Sequence, residues 1–514
     1  MTRVNLLKDL SPWQIAGVVF VFSILLTQSL YWGWNLGCFA LADPDSCWLV
    51  ATGRLIMEQG TSALLHDQFA WTLKESDGQG FVLYQWLCEL VFAQVFEIAG
   101  SQGLLFVSAL ISGLAFVALP ILTGRLSATK YWVLVFVVML AFNSALYHMP
   151  LRPEIFSYLF LSVLLTVCTV LFKTNSKPLK SGQLLPIAAG FLSLFALWGN
   201  CHTGFVIGLV YLLCLLLLTV VRAKNNLPAV FVALIAALAG TLCQPYGLRL
   251  WTYLPHLFFS DINKLNVELQ PLSAMEFIGF DLWPFSTLSG LFIVLLLFSL
   301  KRKPNQSFAL VTSQLLLSLL LLIAAVNCRR LIPFFAISVE YFLLTTLVPS
   351  LPAVERPAKA GTVLWMTLPV VAMLVGALLA GQTLQIGLPS STGGFSAPTG
   401  ALAYLERQRP GGNVYNDAQY GDLMIYRFGK EAKVFIDTRF DLYGDKLTHD
   451  YYKIANARDN WLDLLDEYKI DWLFVMADYQ AVKLLKVKGW QELYSDSVSV
   501  ILQRPQRDPE QALR

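Results

Sequence analysis

Two aspartates, Asp43 and Asp45, sit in the run ADPDSCWLVATGR. Such carboxylates serve either as general bases on an acceptor hydroxyl or as ligands of a cation. Asp-Pro is also a common turn opener, so spacing alone leaves the chemical and structural readings even. His66 and Asp67 follow before FAWT. An isolated His-Asp pair is usually a hydrogen-bonded loop feature, which favours a structural role for His66 and leaves Asp67 open.

A second group is basic. HMPLRPEIF carries His148, Arg152 and Glu154, and a guanidinium fork suits a phosphate by bidentate, charge-assisted bonds. The competing account is an Arg–Glu pair beside a helix start, with Pro153 suited to a first helical position. Asn327, Arg329 and Arg330 lie between two apolar runs, and the adjacent arginines are the foremost candidates for a lipid phosphate or pyrophosphate. WGNCHTGF places Asn200 and His202 inside an apolar helical hairpin, where polar groups either function or make interhelical hydrogen bonds. Arg249 in QPYGLRLW reads as packing, and Glu268 as a possible neighbour of the first-loop carboxylates. Asp437, Arg439 and Asp441 in FIDTRFDLYG read as a strand-end salt bridge.

The elements that must position these groups are membrane helices. With 514 residues, 56% hydrophobic and only 14% charged, the composition excludes a soluble globular chain, and nothing in it suggests nucleic-acid binding. Spans need about 20 apolar residues each. About eleven are expected, near 13–33, 102–124, 131–147, 154–172, 185–199, 204–221, 228–243, 284–300, 307–325, 331–349 and 362–383. Junctions bearing Arg3 and Lys8, Arg125 and Lys130, Lys173 to Lys180, Arg222 and Lys224, Lys301 to Lys303, and Arg356 and Lys359 alternate with those carrying the residues above. Positive charge stays cytoplasmic, so the candidate residues share the outer face. Counting 81–99 as a span would invert every later loop, so that stretch is expected at the outer interface.

The amino terminus is then cytoplasmic and the first span a retained anchor. The eight cysteines show no disulfide or zinc spacing. The expected organisation is a transmembrane part over 1–386 with a first outer loop at 35–101, a linker at 387–399, and an extracytoplasmic domain over 400–514. Strand-like runs NVYN, DLMIYRF, AKVFID, DWLFVMA and SVSVILQ alternate there with helical stretches near 457–468 and 479–488, the pattern of a small α/β unit. No inverted repeat of the transporter kind is evident.

This layout resembles the GT-C glycosyltransferases, closest to the protein O-mannosyltransferase and aminoarabinose-transferase branch with its bacterial relatives. The resemblance rests on DPDSCWLVATGR, LRPEIFSYLFL, LWGNCHTGF and FIDTRFDLYG. It implies a polytopic α-helical GT-C-like fold and inverting transfer of a sugar from a polyprenyl-phosphate carrier to a glycan, lipid or protein at the outer face of a bacterial inner membrane. In that branch an Asp-Glu pair opens the first loop. Here Ser46 follows Asp45, so either Asp43 or Asp45 is the base. Arg152, Arg329 and Arg330 would stabilise the departing phosphate, with Glu154, Asn200 and His202 completing the binding residues and a divalent metal optional. A transporter and a non-catalytic membrane scaffold or chaperone are the rival readings. The polar groups collect at one surface rather than at midplane helix breaks, which argues against passage. The missing Glu keeps the scaffold open.

Overall fold

The computed structural model describes residues 44–73, 81–124, 131–148, 151–172, 181–264, 267–278, 282–299, 307–347 and 397–505. Asp43 and the expected spans at 13–33 and 362–383 lie outside the described residues. The chain divides into two compact units, one drawing on Leu105–Leu248 and Asn266–Leu384, the other on Gly33–Leu104, Arg249–Leu265 and Gln385–Arg514.

The first unit is helical. Among the described residues six helices of the chain are long and apolar enough to cross a membrane: Trp86–Thr123, Glu154–Phe172, Leu184–Cys201, Phe205–Arg222, Lys224–Thr241 and Phe308–Asn327. Shorter apolar helices cover Phe136–Ala145 and Trp283–Leu297. Their Leu-, Val- and Ala-rich runs satisfy the backbone within each helix, as lipid requires. Polar side chains within them are absorbed locally. The hydroxyls of Ser144, Thr169 and Thr219 donate to the carbonyl four residues earlier. Others tie helices together: Tyr341 Oη lies 2.8 Å from Ser162 Oγ and 2.6 Å from Thr166 Oγ1, and Gln314 donates to Thr169 at 3.0 Å. Helix 86–113 breaks at Gly100, whose φ of 60° and ψ of −157° no helix contains. The expected interfacial stretch at 81–99 is thereby set off from the apolar run that follows.

The second unit contains a four-stranded mixed sheet of order β1-β2-β4-β3, with β1 Asn413–Asn416, β2 Ile470–Met476, β3 Gln491–Ser495 and β4 Ser499–Gln503. β1 pairs parallel with β2, and the other two pairings are antiparallel. Val414, Tyr415, Leu473, Phe474, Val500 and Ile501 are buried along it. One expected strand is a helix: DLMIYRF belongs to Ala418–Phe428, capped by the Asp417 carboxylate accepting from the Gln419 and Tyr420 amides. Residues 418, 420–425 and 428 of this helix are all buried, so burial alone does not choose between the two periods, and the Asp417 cap and close packing of Gly421 on Ile436 go with the helix. AKVFID contributes one parallel bridge, Val434 to Ala70, rather than a strand of the sheet.

That bridge belongs to a stitched region. Trp71 N donates to Val434 O at 3.0 Å, Val434 N to Phe69 O at 2.8 Å, and Thr72 Oγ1 to Phe435 O at 2.6 Å. Asn416, at the end of β1, donates to Ile436 O and accepts from Phe435 N. Gly421 faces the Ile436 carbonyl so closely that a Cβ would overlap it. Absence of a side chain there lets helix Ala418–Phe428 lie against the 434–439 segment.

Candidate functional site

Asp45 is the first residue of helix Asp45–Gln59, where the helix dipole favours a carboxylate. Its Oδ1 accepts a 2.5 Å hydrogen bond from Thr438 Oγ1. Trp48, three residues along the same helix, donates its indole hydrogen to that Oγ1 at 3.1 Å. The Thr438 amide donates to Asp422 Oδ1 at 3.1 Å. Asp45 is half-buried, whereas Asp422 and Asp437 are buried completely. Burial, reinforced by the negative charges of Asp437 and Asp45, holds the Asp422 carboxyl well above the usual carboxylate range.

Beside this, Arg439 grips Asp437 with two bonds, Nε to Oδ1 at 2.9 Å and Nη2 to Oδ2 at 2.6 Å. Its Nη1 lies 2.8 Å from Asp67 Oδ1, and all three side chains are at most 3% exposed. Burial disfavours a charged guanidinium, yet the two carboxylates outweigh it and raise the Arg439 pKa. Asp67 also accepts from the Phe69 and Ala70 amides, and Tyr443 donates to Asp437 at 2.5 Å. The Asp437–Arg439 pair thus exists as the sequence suggests, but in the irregular segment ahead of helix Phe440–Ala455 rather than at the end of a strand, and with Asp67 as third member. Tyr253 Oη donates to Asp441 Oδ2 at 2.9 Å, while His66 and Arg249 are exposed.

The helical unit brings together Arg152, Glu154, His202 and Arg330, with Glu268 between the arginines. Arg152 Nη1 donates to Glu268 Oε2 at 2.7 Å, and Arg330 Nη2 donates to the same oxygen at 3.2 Å. Arg330 Nε lies 3.3 Å from Glu154 Oε1. Burial alone would raise the Glu268 pKa, but Arg152 and Arg330 bring it below the usual value. Burial pushes nearby His148 down to about 4, so it stays neutral among these charges.

His202 is oriented from the opposite side. Its Nδ1 accepts from the Gly204 amide at 3.1 Å, so the ring hydrogen belongs on Nε2, 4.0 Å from Glu154 Oε1. Ser157 Oγ then donates to Nδ1 at 2.9 Å while accepting from Trp198 Nε1 at 2.8 Å. A Cβ on Gly204 would strike Ser157 Oγ, so glycine is required for this arrangement. Burial keeps His202 below its ordinary pKa. Asn200 and Arg329 engage other partners: Asn200 Nδ2 donates to the Ala196 and Cys243 carbonyls, and Arg329 pairs with Glu276 at 2.8 Å.

Asp422, Thr438, Tyr443 and Glu276 are additions that sequence reasoning did not single out. Asp422 opens the run DLMIYRF, which the sequence reads as a strand, so its place in a helix core was not legible there. Thr438 had no readable signal either, since its significance lies in a partner far away in the chain. Among the described residues no group of three or more His, Cys, Asp or Glu side chains is placed to hold a metal ion.

No protein-family model matches the sequence, and no curated protein matches it. Solved structures do. The oligosaccharyltransferase of Archaeoglobus fulgidus in its apo form aligns with 96% of this chain and 75% of its own, at 12% identity and a TM-score of 0.54. The same enzyme tethered to an acceptor peptide containing the NVT sequon covers 96% and 74%, at 12% identity and a TM-score of 0.58.

The chain has a GT-C-like fold. A third structure of the archaeal enzyme, in complex with Zn and sulfate, aligns with 89% of this chain and 68% of its own, with 13% identity and a TM-score of 0.50. This likeness covers both units of the GT-C-like chain and concerns its architecture. The chemistry must be argued from its own residues.

Proposed function

We propose that the protein is a membrane glycosyltransferase that moves a sugar from a polyprenyl-phosphate carrier to an acceptor hydroxyl at the outer face of a bacterial inner membrane. The observation carrying this reading is the fold likeness to oligosaccharyltransferase over 96% of the chain. The archaeal enzyme was captured with an acceptor peptide, which makes a protein acceptor one class to test beside glycans and lipids. The protein O-mannosyltransferase and aminoarabinose-transferase branch remains our proposal for its nearest functional kin.

The reaction is a single displacement. The acceptor oxygen attacks the anomeric carbon, the bond from that carbon to the carrier phosphate breaks, and the electron pair leaves with the phosphate. The acceptor proton passes to a carboxylate, and the sugar inverts. Asp45 is the base we favour, because it is half-buried while Asp422 and Asp437 are sealed, and Asp43 is the alternative. Arg152 and Arg330 are the groups for the departing phosphate, since fixed positive charge directed at a developing anion is usually the largest catalytic contribution. We also retain Arg329, Glu154, Asn200 and His202 as substrate-binding candidates, although Asn200 is engaged by the carbonyls of Ala196 in its own helix and of Cys243 just beyond helix Leu227–Thr241.

A scaffold without catalytic activity is favoured by one observation: each of the three arginines already has a carboxylate partner. The deciding experiment is transfer of labelled sugar from a panel of polyprenyl-phosphate sugars by the purified full-length protein in lipid. Turnover by wild type that is lost in Asp45→Asn supports the transferase. No turnover with any donor, together with full cellular function of Asp43→Asn and Asp45→Asn, supports the scaffold.

A further inference from the structure

Resting on the transferase reading, we propose that Thr438 is a positioning residue that orients the Asp45 carboxylate for proton abstraction. The argument is one of hydrogen-bond direction. A threonine hydroxyl has one hydrogen to give and lone pairs to accept with. The Trp48 indole can only donate, and it occupies the Thr438 oxygen at 3.1 Å. The short 2.5 Å contact between Thr438 Oγ1 and Asp45 Oδ1 is therefore a donation to the carboxylate.

Thr438 is itself held in place. Its amide is bound to buried Asp422 at 3.1 Å, and its flanking residues Asp437 and Arg439 are locked to each other. The hydroxyl is thus presented from a rigid segment rather than a loose loop, the condition under which one hydrogen bond can fix a reactive group. The bond to Oδ1 restrains rotation of the Asp45 carboxylate and so fixes the direction from which it meets an acceptor proton. The same bond favours the ionised carboxylate, the form a base must have.

Three full-length variants in lipid test this: Thr438→Val, which keeps the shape without the hydroxyl, Thr438→Ser, which keeps the hydroxyl, and Asp45→Asn. Thr438→Val is expected to lower kcat about 10- to 100-fold, the factor matching a hydrogen bond to a charged group. The donor KM should stay unchanged and the acid limb of the pH–rate profile should move to higher pH. Thr438→Ser should recover most of the rate.

An infrared titration provides a readout independent of activity. The carboxyl band missing in Asp45→Asn identifies Asp45, and that band should titrate at higher pH in Thr438→Val than in wild type or Thr438→Ser. A band that does not move overturns the inference whatever the activity. A band that moves while wild type transfers no sugar overturns the transferase reading, and Thr438's catalytic role with it.

Discussion

Arg439 joins Asp67 across 2.8 Å while holding Asp437 by two further bonds, so one buried guanidinium ties the first loop to the 434–439 segment within one compact unit. Breaking such an arrangement by removing one partner leaves buried charge without compensation. Arg439→Met is expected to cost about 3–5 kcal/mol. Thermal unfolding of the purified protein in lipid checks this, and a loss near zero would mean the network adds nothing to stability. Arg439→Lys should fall between, because an ammonium keeps the charge but lacks the fork that spans both acids.

Asp45→Asn is expected to lower sugar transfer by about 10²- to 10⁴-fold, the usual range for a positioned base. Donor affinity should stay near the wild-type value, since the side chain differs by one oxygen replaced with nitrogen. Turnover and donor binding, measured separately on the same preparation, distinguish a lost base from a lost binding site.

Glu268 accepts from both Arg152 and Arg330, and so competes with any phosphate that approaches them. Arg330→Ala should weaken binding of a polyprenyl phosphate about 10-fold or more, the scale of a charge-assisted bond. Glu268→Gln should strengthen it by freeing positive charge. Binding of unglycosylated polyprenyl phosphate to each variant in lipid reads both effects. Equal affinities throughout would remove these arginines from the substrate site.

The raised pKa of Asp422, caused by burial and then by the neighbouring Asp437 and Asp45 charges, makes stability depend on pH. Across the window from the ordinary value of 3.8 up to the elevated folded value, the folded protein holds a proton that the unfolded chain releases. Its contribution is complete below the ordinary value and is lost as pH rises through the folded one. Asp422→Asn should flatten that part of the profile of unfolding temperature against pH. An unchanged slope would assign the pH dependence to other groups.

Gly421→Ala places a methyl group against the Ile436 carbonyl and the Asn416 amide. Overpacking of this kind costs about 1–3 kcal/mol. Because the helix carrying Asp422 would have to shift from the segment carrying Thr438, the Thr438–Asp422 bond should weaken as well. Hydrogen exchange at the Thr438 amide, faster in the variant, is the measurement.

The sequence by itself determined the helical character of the chain, because long apolar runs can satisfy their backbone in lipid only as helices. Glu154–Phe172, Phe205–Arg222 and Phe308–Asn327 lie within a few residues of where hydropathy places them. The β-strands around NVYN, DWLFVMA and SVSVILQ were equally readable, since each combines β-favouring residues with polar boundaries. DLMIYRF was misread because a short apolar run suits either period, and only its packing against the 434–439 segment selects the helix.

Tertiary structure alone decided the partners. Asp45 and Thr438 stand 393 positions apart, Arg152 and Glu268 stand 116 apart, and no local periodicity relates residues at such distances. Hydropathy reports which face of an element is buried, whereas the direction of a hydrogen bond depends on how two distant segments meet. For that reason the sequence could nominate Asp45, Arg152 and Arg330 by type, while Thr438, Asp422 and the place of Glu268 emerged only when the chain was folded.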